Sequence, residues 1–142
     1  MITYKKLNEQ NHRITELSNV LSYLFKDRSM CDTDSCCSLF MNYVTLVKEH
    51  IDTVDKNMYS DLLGSPDDKV KNVARNFMSG SVEVKKILKD FNKHWCPLKN
   101  KGELRIKDHQ EFLEATDELF NIVLQRIQDE TEHLYPLVRR MK

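Results

Sequence analysis

Two sets of residues in this 142-residue chain have the types and spacing to do chemistry. The first set sits at helical spacing: His50 beside Ile51, Glu130 one turn after Arg126, His12 next to Asn11, and the pair Gly80-Ser81. A carboxylate and imidazoles on facing helices are the donors from which helical bundles build metal centres. The same Glu130 beside the Arg126 guanidinium can instead form a structural pair. A carboxylate taken out of water must be paired, protonated or metal-bound. The second set is sulfur: Cys31, Cys36 and Cys37 lie close together, and Cys96 follows His94 and Trp95. Such thiols can form a redox pair (Cys96 with Cys31, Cys36 or Cys37), bind zinc, or fill space as small hydrophobes. The 31/36/37 spacing is not the C-x-x-C of a zinc ribbon. No Ser/His/Asp order, phosphate-cradling glycine loop or catalytic-cysteine signature is present, which points away from an enzyme.

The elements that must position these groups are helices. Apolar residues recur at spacings of three and four almost throughout. With only 3 Gly and 3 Pro, the chain has little punctuation for a many-turned β fold. The first helix is expected over Lys5 to Lys26, with its stripe on Leu7, Ile14, Leu17, Leu21 and Leu24. Asp32 or Asp34 is the expected N-cap of the second, which carries Phe40, Val44, Val47, Ile51, Val54, Met58 and Leu62 and closes at Gly64 as C′. Ser65-Pro66-Asp67-Asp68 reads as a helix start with Ser65 as N-cap and Pro66 at N1. The third helix follows on Val70, Val73, Phe77, Val84, Leu88 and Phe91, and ends near Trp95 because of Pro97. After a connection at Lys99–Gly102, the fourth carries Leu113, Phe120, Val123, Ile127, Leu134, Val138 and Met141. Pro136 should kink or re-form its last turn.

Short links between long helices favour antiparallel neighbours. The expected fold is one all-α domain over residues 1–142, an up-down antiparallel four-helix bundle. That topology brings Asn11/His12, His50, Gly80/Ser81 and Arg126/Glu130 to similar heights, in the half nearer the chain termini. It sends the 1–2 and 3–4 connections to the opposite end, where the four cysteines and His94 can approach one another. Cys36 and Cys37, near a helix N-terminus, are expected to have lowered thiol pKa values. Thr116 stands on the fourth stripe, His109 and His133 read as solvated, and Trp95 as a core cap.

Lys plus Arg and Asp plus Glu total 22 each, so net charge is zero. A basic field for nucleic acid or an anionic membrane is absent, so neither is an expected partner and another protein is. No apolar run approaches the roughly 20 residues of a bilayer span. The N-terminal Met1–Leu7 stretch lacks a secretory apolar region, and the expected location is the cytoplasm. There, cysteines are thiols or ligands more often than structural disulfides.

Three segments carry a family resemblance. Glu130-Thr131-Glu132-His133-Leu134-Tyr135-Pro136-Leu137 resembles the end of the last helix in hemerythrin-like (HHE cation-binding) domains. Leu46–Ile51 with Met58-Tyr59 is similar to that family's second helix, and Glu9–Ile14 to its first. The resemblance implies a hemerythrin-like bundle with an eroded metal centre. His50 matches the second-helix His, but Val54 stands at its partner carboxylate. Glu130 matches the fourth-helix carboxylate, but Arg126 occupies its His position. The third-helix His is replaced near Gly80 or Ser81, and Asn11 or the adjacent His12 falls at the first-helix ligand. The surviving set is His50, Glu130 and His12. It leaves iron (mono- or incomplete di-iron), zinc or no metal as alternatives, in a regulatory protein that senses metal or redox state. Leu39–Val44 through His50, and Arg126 through Glu130, also resemble parts of regulators of the sigma-D type. That similarity implies a metal-independent bundle that captures a protein such as a sigma factor.

Overall fold

The apolar stripes form long helices, each begun by a short polar side chain that accepts from a first-turn N–H. The computed structural model describes residues 3–96, 104 and 106–140, and every element in them is helical. In chain order these are α1 (Tyr4–Phe25), α2 (Arg28–Cys31), α3 (Asp34–Asn57), α4 (Tyr59–Leu63), α5 (Asp68–Trp95), α6 (His109–Asp129), a π-helical turn (Glu130–Leu134) and α7 (Tyr135–Arg140). Thr3, Asp27, Thr33, Asp67 and Asp108 are the side-chain N-caps of α1, α2, α3, α5 and α6. Such a cap is worth about 1 kcal/mol.

Several expected boundaries shift. Thr33, not Asp32 or Asp34, caps α3, because Asp32 is ion-paired with Arg28 across the short α2 and Asp34 already lies in the first turn. The second stripe is broken at Met58 into α3 and α4. Gly64 is the C-cap of α4 with φ −81°, in the right-handed region, so no left-handed C′ turn is made there. Asp67 replaces Ser65 as the cap of α5: the Ser65 hydroxyl accepts from the Asp67 N–H at 3.1 Å and holds Pro66 in the preceding turn. Pro136 does not break its helix. Proline has no N–H and its ring crowds the carbonyl four residues back. The wide turn before it, in which the Tyr135 N–H bonds to Glu130 O, makes the room. Lys99–Gly102, Pro97 and Met141 lie outside the described residues.

α1 packs on α3 and α6, and α5 packs on the same two helices. At one end Phe25, closing α1, meets Phe40 of α3 at 6.1 Å and Phe112 of α6 at 4.8 Å, and Trp95 of α5 meets Phe112 at 5.1 Å. Trp95 is buried there as expected. At the other end Leu7, Val54, Leu62, Ala74, Leu134 and Tyr135 form a separate apolar cluster. Between the two clusters lies a polar layer. No helix of the described residues is long and apolar enough to cross a membrane.

Candidate functional site

Every long helix contributes to the polar layer: Gln10 and Asn11 from α1, His50 from α3, the Gly80-Ser81 step of α5, and Arg126 of α6 with Glu130 in the π turn. Glu130 is fully buried, and both its oxygens are engaged. Oε1 faces His50 Nε2 at 2.7 Å and accepts from the Tyr135 hydroxyl at 3.3 Å; Oε2 accepts from Arg126 Nε at 2.9 Å. The other ring nitrogen of His50 meets Gln10 Oε1 at 2.9 Å. Either face of an amide can be turned to a ring nitrogen, so Gln10 can satisfy His50 in either protonation state.

The guanidinium is held as tightly. Arg126 Nη1 donates to Phe77 O at 2.9 Å, and Nη2 donates to Ser81 Oγ at 2.7 Å and to the Tyr59 hydroxyl at 3.0 Å. Ser81 Oγ donates back along its helix to Phe77 O at 3.1 Å. The Tyr59 hydroxyl, 3.3 Å from Ser81 Oγ, is therefore the donor in that contact. The Arg126 Cζ also stands 4.9 Å from the Phe77 ring centre, a cation–π distance. Gly80 is what lets the guanidinium in, since a Cβ there would lie 2.8 Å from Arg126 Nη1. Glycine therefore serves the approach of one side chain rather than of two backbones. Burial raises the pKa of Tyr59 and, more strongly, of Tyr135, where the Glu130 charge adds to the effect. Both phenols stay protonated as donors.

These residues do not fit a resident metal. The carboxylate has no free oxygen, the imidazole has both nitrogens committed, and a guanidinium fills the space beside them. Among the described residues no three His, Cys, Asp or Glu side chains come together as a metal site. His12 does not join the layer: its side chain is 80% exposed and pairs only with Glu16 at 3.8 Å. The neighbouring Asn11 points inward instead, and its Oδ1 has no hydrogen-bond partner. Thr116 is buried but satisfied locally by Leu113 O at 3.0 Å. His133 is exposed beside Glu132. His109 is only partly solvated, since its Nε2 meets Phe25 O at 2.6 Å and closes the end of α1.

At the far end, Cys37 in the first turn of α3 and Cys96 after α5 are brought side by side as a disulfide pair, with Cα atoms 7.1 Å apart, at the upper limit of what such a link spans. Cys31 and Cys36 are buried free thiols. The lowered thiol pKa expected for Cys36 is reversed: burial, with Cys31 as a second cause, pushes it up to about 11. Burial likewise raises Cys31, whose Sγ is 3.4 Å from Phe25 O. Loss of hydration outweighs the helix N-terminus here, because both sulfurs sit inside the aromatic cluster. His94 is exposed and meets Trp95 edge-on at 4.6 Å.

The sequence singled out the interrupted stripe but not Tyr59 and Tyr135 as members of the layer. Glu130 and Tyr135 are five residues apart, which an α-helix of about 3.6 residues per turn places on different faces. The π turn aligns them. Comparison with family models, curated proteins and solved structures finds no match to this chain.

Proposed function

We propose that this is a non-enzymatic regulatory protein on a hemerythrin-like four-helix bundle, with its metal centre replaced by an internal ion pair and its response moved to the thiol end. Support for the bundle comes from the cyclic packing of α1, α3, α5 and α6 together with the family resemblance of three segments. The saturated Glu130 carboxylate speaks against an acid–base or metal-dependent enzyme.

The observation that carries the redox reading is the Cys37–Cys96 pairing, which ties residues 59 apart in sequence across α3 and α5. Its formation needs an oxidant, and a small disulfide such as oxidised glutathione suffices. One thiolate attacks it and expels a thiol, and the second thiolate then displaces the other. Two protein thiols lose two electrons and two protons, and the external disulfide is reduced to two thiols. The test is a titration in glutathione buffers, with peptide mapping and hydrogen exchange at each potential. A single Cys37–Cys96 crosslink that reverses with potential and changes exchange in α3 and the end of α5 is expected. Thiols that stay separate, or a crosslink with no change in exchange, would overturn the reading. A second reading, a metal-independent protein-binding regulator, is favoured by the open face between α5 and α6.

A further inference from the structure

α5 and α6 touch where Arg126 reaches across to Phe77, yet an open groove of about 1240 Å³ runs along them. Its apolar floor includes Val73, Phe77, Val84 and Ile87 of α5 and Ile122 of α6. Of these only Val84 is buried; the others are half-covered. Val73 to Ile87 is about 21 Å of helix, or four turns. The walls are acidic: Glu83 on one side, and Glu114, Asp117, Glu118 and Asp129 on the other. Among the described residues none of these five carboxylates is in an ion pair. Of the groove's basic side chains, Arg126 is already committed to Glu130, and His133 stands beside Glu132. In a chain of zero net charge this is a local concentration of one sign.

We infer that the groove is a docking site for a cationic amphipathic helix of another protein, with apolar residues at i, i+3/i+4 and i+7 on the floor and Lys or Arg against the acidic walls. The shape favours a helix. A channel between two helices accepts a third by the same side-chain ridges that pack helices generally, and no sheet edge exists among the described residues to receive a strand. The charge favours a basic partner over a second copy of this chain. In a two-fold pairing the same patch meets itself, and the two sets of carboxylates would face each other. This inference goes beyond the redox reading and uses none of its residues.

The probe is a labelled 18-residue helical peptide with a leucine stripe and lysine flanks, beside the same peptide with glutamate flanks. Binding is followed by fluorescence anisotropy to oxidised and reduced protein alike, with amide shifts to locate the site. The lysine peptide is expected to bind at least about tenfold tighter than the glutamate peptide, and to weaken at about 0.5 M salt. Its shifts should fall along α5 and α6. The exposed pair Asp117→Lys/Glu118→Lys should weaken it by a further factor of about ten, and the milder Asp117→Asn/Glu118→Gln by less. Equal binding of both peptides, no binding, shifts elsewhere, or a dimer in sedimentation that buries α5 and α6 would overturn it. Loss of the redox response with retained peptide binding would remove the earlier reading and leave this one standing.

Discussion

The two ends of this molecule differ in how they handle buried charge, although each leaves an oxygen unpartnered, Asn11 Oδ1 in one and the Tyr43 hydroxyl in the other. In the half nearer the termini, every long helix puts polar groups into one layer, and each hydrogen-bonding group of Glu130 is answered by a named partner. In the other half, aromatic rings and sulfur dominate. The Tyr43 hydroxyl is buried there without a partner, and burial pushes its pKa well up. The difference teaches where each end can change. A saturated charge network is bistable only at the cost of exposing unpaired charge, so it fixes helix register and resists ligands. A sulfur cluster can gain or lose a covalent link without stranding any charge. Packing specificity therefore belongs to the polar layer, and the covalent change proposed above would belong to the Cys37–Cys96 pair alone, since burial holds Cys31 and Cys36 as neutral thiols.

The sharpest break of that contrast is Glu130→Leu. Replacing both partners of a buried ion pair by apolar residues can be neutral, but replacing one is not. Here its removal leaves the Arg126 guanidinium buried without its anion, and a loss of about 3–5 kcal/mol is expected. That is on the order of 10 °C in thermal unfolding. A variant as stable as the parent would show that the layer is not a single charge-balanced unit.

Next in size is Cys37→Ser. Opening a crosslink between residues 59 apart should cost about 2–4 kcal/mol under oxidising conditions. In dithiothreitol, variant and parent should melt together. A difference that persists in reductant would assign the effect to packing at Cys37 rather than to the link.

Gly80→Ala tests the entry point of the guanidinium. The helix-propensity gain of about 1 kcal/mol is opposed by displacement of Arg126 Nη1 from Phe77 O, and a net loss of about 1 kcal/mol is expected. In an Arg126→Met background the same substitution should become stabilising. A double-mutant cycle without coupling would dissociate Gly80 from Arg126. Tyr59→Phe removes one acceptor of Arg126 and should cost about 1 kcal/mol, read by urea unfolding.

The smallest effect, read near pH 9, is alkaline. The folded Cys36 pKa, about 11, lies above its ordinary 9.0, so the folded state prefers the neutral thiol. Stability is full below the unfolded value and falls as pH rises from about 9 towards 11. At pH 9 the loss is a few tenths of a kcal/mol. Cys36→Ala should flatten this slope, and an unchanged slope would place the titration elsewhere.

Much of this was legible in the chain. Periodicity placed the long helices, and breaks in the apolar stripes at Asn11, His50, Ser81 and Glu130 marked the polar layer, because a buried polar residue interrupts a pattern that local sequence otherwise sets. The Arg126–Glu130 spacing announced an ion pair one turn long. The placing of cysteines from distant segments at one end followed from chain direction, whereas His94, expected with them, stays exposed beside Trp95.

Other features rest on distances between helices, which no local pattern encodes. A rotation of one residue decided that Asn11 and not His12 faces inward. The π turn before Pro136 brought Tyr135 onto the Glu130 face, and the break at Met58 set Tyr59 beside Arg126. Burial reversed the expected shift of Cys36. The separation of α5 from α6, which makes a groove of two ordinary amphipathic faces, exists only once both helices are placed. Sequence determined which residues are apolar, charged or able to cap, because those properties are local. Tertiary structure decided which charges meet and which apolar surface stays uncovered, because those depend on the approach of segments far apart in the chain.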